Sequence, residues 1–209
     1  MPPSTTVLLV RHGRTPTTGI LLPGRAPGLS LAPAGRAEAE AAAVRIARLG
    51  RVGAVYASPL ERARETAAPI ARDQGLVVLI EPGLSELNIG GWTGMRIDDA
   101  LRRPEWIAIR QYPSGFRFPG GESFAEMQAR VMAALVALAE RHRGERVVAV
   151  SHADPIKAAV AHARGQGLEQ FQRIFVAPGS ITVLAFDADG PRVLAVNTLD
   201  GDLDGLLPR

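Results

Sequence analysis

The sequence predicts an α/β domain in three layers, a mainly parallel central sheet with helices on both faces. Two observations carry that expectation. Strand-sized apolar runs alternate with helix-sized segments rich in Ala, Glu and Arg, the pattern of a parallel sheet covered by helices. The 209 residues show no interdomain linker, internal repeat or low-complexity tract, so a single domain over 1–209 is expected.

The elements follow in order. TTVLLV, Thr5 to Val10, reads as a buried strand, and an irregular stretch separates it from the Ala- and Glu-rich helix Pro33–Leu49. A strand at Val52–Ala57, a helix at Leu60–Gln74 and a strand at Leu76–Ile80 come next. Residues 88–122, rich in Gly, Pro, Trp and Arg, break the alternation and are expected to form a mobile flap over the carboxyl edge of the sheet. In Phe124–His142 the residues Phe124, Met127, Val131, Leu135 and Leu138 recur at helical spacing and define one buried stripe. Ser123 and Glu126 read as its capping box, with Glu126 paired to Arg130 on the outer side. ERVVAVSH repeats the pattern of an apolar strand ending in histidine, with Asp154 as N-cap and Pro155 as first residue of the next helix. ITVLAF and RVLAV flank DADGP as a hairpin. DGDLDG, Asp200 to Gly205, starts like a calcium loop but lacks the closing glutamate, and reads as a solvated acidic tail.

Composition narrows the function classes. The chain is 46% hydrophobic and 22% charged, as in an ordinary soluble protein, and no apolar run approaches the roughly 20 residues of a membrane span. The start lacks a signal-peptide pattern, and zero cysteines exclude disulfides, thiolate metal sites and thiol nucleophiles; a cytoplasmic protein is the expectation. The bases are arginines except Lys157, and arginine forks suit phosphate and carboxylate groups. No dense basic run or aromatic stacking set points to nucleic acid. A P-loop and a GxSxG elbow are both absent.

Four short stretches carry chemistry-bearing residues. In a parallel sheet, ligands gather beyond the carboxyl ends of the strands, where the two strands ending in His12 and His152 aim their histidines. Arg11-His12-Gly13 supplies an imidazole that becomes a nucleophile if one ring nitrogen is held by a carbonyl; Gly13 permits that turn, and nearby arginines disfavour the imidazolium. Ser58 and Glu61 suggest a capping box that places Arg62 on the first turn of a helix, ready to join its N-terminus around an anion. Glu86, in LSELNIGGWTG, suits a general acid whose pKa a neighbouring phosphoryl group raises. His152 stands at a helix start where backbone N–H groups face an anion. Taken singly, each also fits a strand end, a surface arginine or a loop glutamate. His142, between two arginines near a helix C-terminus, and His162, within a helix, are read as structural or surface residues.

Together, VRHGRT, GLSLAPAG, SPLERARETA, LSELNIGGWTG, FPGGES and SHADPIKA occur in an order that resembles the histidine phosphatase superfamily, in its phosphoglycerate-mutase-like branch. PGGES, IKA and FQRI are similar to an actinobacterial-type group of phosphomutases. The resemblance implies a phosphoglycerate-mutase-like fold and a metal-independent phosphoryl transferase without cofactor. His12 would become the phosphohistidine, and Arg11, Arg62 and His152 would surround the phosphoryl group. Glu86 would be the proton donor and later the base. Thr15 and the Ala153 backbone N–H are secondary phosphate contacts, and Arg96 and Arg117 are candidates for substrate contact from the flap.

The chain departs from glycolytic mutases. PTTG stands where relatives often have an asparagine, Gly28 replaces an aspartate, and the flap is short with a different set of arginines. The leading expectation is therefore a phosphatase of small phosphorylated metabolites, with no nucleic-acid or membrane partner. A phosphomutase and a non-catalytic anion-binding scaffold are the alternatives, and self-association is compatible with the sequence.

Overall fold

A computed structural model describes residues 4–206. Strand β1 (Thr5–Arg11) lies beside β4 (Arg146–Ser151), which pairs with β2 (Ala54–Ala57), which pairs with β3 (Val78–Ile80), all in parallel. On its other side β1 runs antiparallel to β5 (Ile181–Asp187), which continues into the edge strand β6 (Gly190–Thr198). The order is β3-β2-β4-β1-β5-β6, so the expected mainly parallel sheet has an antiparallel hairpin on one flank.

Alternate residues of these strands enter two separate apolar layers, as the two-residue strand period requires. Val7, Leu9, Tyr56, Val147, Ala149 and Leu184 pack on the face covered by α5 (Phe124–Arg141) and α6 (Ala153–Ala163). Leu8, Val10, Val55, Val148, Val150 and Val183 pack on the opposite face against α1 (Pro33–Ala47) and α2 (Glu61–Gln74). Both faces of β1 and β4 are therefore buried, which is why their sequences read as continuous apolar runs. Helix α2 ends at Gly75, whose φ of 66° supplies the left-handed C-cap. The Ser123–Glu126 capping box is formed as expected.

Several local readings need correction. Arg130 does not pair with Glu126; it turns to Glu122, and Glu126 takes Arg117 instead. Helix α6 begins at Ala153 with His152 as N-cap, so Asp154 lies in the first turn rather than before it. Leu60, not Ser58, is the N-cap of α2, and no side chain caps that end. The tail is not simply solvated: Leu203 is buried in the layer beneath α1, and Arg45 donates to the carbonyls of Thr198 and Asp200 at 2.9 and 2.8 Å.

Segment 88–122 is anchored rather than irregular. It contains α3 (Ile97–Leu101) and α4 (Glu105–Gln111), helices too short to declare themselves by periodicity. Trp92 stacks on Trp106 with ring centroids 6.4 Å apart and meets Phe118 edge-on at 5.4 Å. Phe118 in turn meets Phe124 of α5 at 5.5 Å, so the segment shares the core of the α5 face. Among the described residues no helix is long and apolar enough to cross a membrane.

Candidate active site

The β1–β4 register sets the site. Arg11 pairs with Ser151, so the next residue of each chain segment, His12 and His152, leaves the sheet at the same edge. The His12 N–H donates to the Ser151 carbonyl at 3.0 Å, and the two imidazoles meet edge-on with centroids 5.0 Å apart.

His12 Nδ1 lies 2.7 Å from the Gly13 carbonyl oxygen, which can only accept. The proton therefore sits on Nδ1, and Nε2 presents its lone pair. Gly13 is required here by close approach: a Cβ would stand 2.2 Å from the Gly35 carbonyl oxygen at the start of α1. The Gly13 N–H donates to Thr66 Oγ1 at 3.0 Å, and that hydroxyl donates to the Arg62 carbonyl at 2.7 Å. One turn of α2 thus ties the His12 loop to the arginine beside it.

Arg62 is wholly buried. Its Nε donates to His12 Nε2 at 3.3 Å and Nη2 to the Gly24 carbonyl at 2.8 Å. Arg11 Nη1 donates to the Val176 carbonyl at 2.6 Å. His152 Nε2 lies 2.8 Å from Ser58 Oγ, and its Nδ1 is 3.9 Å from Glu86 Oε2. Glu86 Oε1 accepts from the Leu87 N–H at 2.9 Å.

Three nitrogens of this cluster, Arg11 Nε, Arg62 Nη1 and His152 Nδ1, are buried and meet no partner within the fold. They are half of the six such side-chain atoms among the described residues. An unmatched buried donor costs about 1–3 kcal/mol, more when charged, so their concentration around one imidazole marks a site built for an acceptor-rich anion.

The electrostatics set His12 and Glu86 apart. Burial, with Arg62 and Arg11 adding to it, pushes the His12 imidazole down to about 3, against the opposing pull of the Gly13 carbonyl. Burial pushes Glu86 up to about 7, and Asp154 adds to this while Arg62 and Arg11 oppose it. His152 lies well below its ordinary value, through burial and then His12 and Arg62. Between about pH 3 and pH 7 a neutral imidazole and a protonated carboxyl group coexist in one pocket.

His12, Arg11, Arg62, Glu86 and His152 are brought together as expected. Ala153 opens α6 directly beside His152. The Thr15 hydroxyl is buried but is shared with the hydroxyls of Thr17 and Thr18 at 3.3 and 3.1 Å. Arg96 and Arg117 touch none of the five: Arg96 is exposed near Asp98 at 3.8 Å, and Arg117 is held by Glu126 and the Gly121 carbonyl. Sequence reasoning did not assign Thr66, and it gave Ser58 a capping role where the structure makes it the partner of His152. A hydroxyl one helical turn after Arg62 was the available signal for Thr66. Among the described residues, no three His, Asp or Glu side chains stand together in a way that would hold a metal ion.

Comparison with known proteins agrees with this geometry. The model of the histidine phosphatase superfamily (branch 1) matches residues 7–199. The chain is 34% identical over 189 residues to the bifunctional protein Rv2228c of Mycobacterium tuberculosis, covering 89% of this chain but 51% of that protein. It thus spans about half the length of the mycobacterial relatives of that group. Phosphoserine phosphatase 1 of Hydrogenobacter thermophilus is 30% identical over 199 residues, with 91% of each chain covered. A mutant phosphoserine phosphatase from Entamoeba histolytica, solved with phosphoserine, superposes with a TM-score of 0.84 at 25% identity, covering 94% of this chain and 98% of the other. Matched through nearly its whole length, the chain belongs to the histidine phosphatase superfamily.

Proposed function

We propose that the protein is a metal-independent phosphatase that hydrolyses small phosphomonoesters through phosphorylated His12. The observation that carries this reading is the ring of unmatched buried donors on Arg11, Arg62 and His152 around a neutral imidazole, with a protonated Glu86 beside it. In the first step the His12 Nε2 lone pair attacks phosphorus in line. The bond from phosphorus to the ester oxygen breaks, and Glu86 gives that oxygen its proton. In the second step Glu86, now a carboxylate, takes a proton from water, whose oxygen displaces Nε2 and releases inorganic phosphate. Arg11, Arg62, His152 and the Ala153 backbone N–H bind the phosphoryl oxygens, so positioning and charge neutralisation dominate. Thr15 is a weaker contributor because its hydroxyl is already engaged.

Segment 88–122, with Arg96 among its exposed residues, is the part we assign to the leaving group. The phosphoserine phosphatases among the relatives make phosphoserine the first substrate to test, and 3-phosphoglycerate the second. Hydrolysis of p-nitrophenyl phosphate in excess EDTA, abolished by His12→Ala, together with an acid-labile phosphoenzyme trapped in turnover, is the expected result. Stimulation by 2,3-bisphosphoglycerate with interconversion of phosphoglycerates would replace the phosphatase by a mutase. Phosphate binding without turnover of any ester would leave only a scaffold.

A further inference from the structure

Against the turn that carries Glu86 lies a second set of charges to which the reaction gives no role. Glu122 closes the flap segment, and its carboxylate is largely buried, with 15% of the side chain exposed. It accepts from the Asn88 N–H at 2.8 Å, from Arg25 Nη2 at 2.7 Å and from Arg130 Nη2 at 2.8 Å, with Arg130 Nε 3.3 Å from its other oxygen. Both arginines reach past it to the main chain that carries the acid. Arg25 Nε donates to the Glu86 carbonyl at 2.7 Å. Arg130 donates to the carbonyls of Gly83, Ser85 and Glu86 at 2.7, 3.0 and 3.4 Å. Arg25 comes from the loop after His12 and Arg130 from α5, so one carboxylate joins the nucleophile's loop, the acid's turn, the flap and the α5 face.

We propose that Glu122 is a positioning residue for Glu86, holding the acid's turn through Arg25 and Arg130 and screening its carboxyl group from those two guanidinium charges. This rests on the phosphohistidine reading above. The screening has a clear direction. The groups already facing Glu86 are Arg11 from β1, Arg62 from α2, the neutral His152, and Asp154 from α6 with Lys157 3.3 Å away. Without the Glu122 charge, the positive charges of Arg25 and Arg130, both held at the Glu86 carbonyl, lose their carboxylate partner. Added positive charge favours the carboxylate, so Glu86 would lose its proton at lower pH and fewer molecules would hold an acid ready at neutrality.

The test separates an acid defect from general damage by leaving group. An alkyl phosphomonoester needs its departing oxygen protonated, whereas p-nitrophenolate departs readily without help. Glu122→Gln keeps the side-chain shape and an acceptor for Asn88. It should lower kcat/KM about tenfold or more on phosphoserine, less than about threefold on p-nitrophenyl phosphate, and move the alkaline limb to lower pH. Arg25→Gln should move that limb the opposite way, and it serves as the test if Glu122→Gln does not melt cooperatively. Equal losses on both esters, or limbs that stay in place in both variants, would overturn the inference while leaving the phosphatase reading intact. A wild-type protein that hydrolyses neither ester, or a His12→Ala variant that still does, would overturn that reading and the inference with it.

Discussion

If Glu86 is the acid and His12 the nucleophile, the activity must follow a pH profile that ordinary side chains could not give. With ordinary values of 6.5 for the imidazole and 4.5 for the carboxyl group, the two useful forms exclude one another. At pH 5.5 each is present in about 9% of molecules, and both together in about 1%. With His12 near 3 and Glu86 near 7, about 97% of molecules hold both at the same pH, a gain of about a hundredfold or 2.8 kcal/mol. Log kcat/KM for an alkyl phosphomonoester should therefore show no descent on the acid side near 6.5. Its alkaline limb should bend near 7 and fall about tenfold per pH unit beyond. The substrate's own second ionisation, near pH 6, affects wild type and variant alike. Glu86→Gln isolates the enzyme's contribution: turnover of the alkyl ester should fall about 10²–10⁴-fold and the limb near 7 should vanish. A wild-type limb near 4.5, or a Glu86→Gln variant that keeps both rate and limb, would refute the assignment and the burial argument behind it.

Other perturbations test the surrounding structure. Ser58→Ala removes the partner of His152 Nε2 and should cost about 1–3 kcal/mol in denaturant unfolding, with kcat/KM also reduced; an unchanged midpoint would show that His152 finds another partner. Gly13→Ala drives a Cβ to 2.2 Å from a backbone oxygen, so the variant should lose either cooperative melting or the His12 geometry, read as activity and Tm together. His12 also makes stability depend on pH. Its folded value is depressed, so between 6.5 and about 3 the unfolded chain binds a proton that the native chain refuses, and stability falls as pH falls. At pH 4.5 this single group costs roughly 3 kcal/mol relative to neutral pH. His12→Asn should narrow the gap in stability between pH 7 and pH 4.5 by about that amount, and an unchanged gap would show that His12 titrates normally.

The parts of the molecule legible in the sequence are those fixed by local patterning. β1 and β4 announce themselves because strands buried on both faces are apolar throughout, and α5 because its stripe and capping box are written in consecutive residues. Arg11, His12, Arg62 and His152 are legible because each lies at the end or start of such an element, and Glu86 because it precedes a glycine-rich turn. What escaped depends on distant neighbours. Glu126 is a proper helix-surface partner for Arg130, yet Arg130 turns inward, where three carbonyls and one carboxylate from other segments hold it. Ser58 precedes a helix and looks like a cap, but His152, 94 residues further along the chain at the start of α6, takes its hydroxyl. The short helices of 88–122 derive their order from stacking of Trp92, Trp106 and Phe118, which no period of 3.6 reveals.

The pairing of β1 with β4 has a consequence for when activity can arise. The two imidazoles stand 140 positions apart along the chain, yet a single register step brings them together, and the loop to be closed holds most of the domain. Such a contact is entropically late, forming after the intervening helices have shortened the span. Until it forms, the first imidazole is a solvated group protonated in the ordinary range, without the burial that depresses its basicity in the fold. Recovery of the proposed activity during refolding would therefore lag behind helix formation, and would time the closure of the central strand pair.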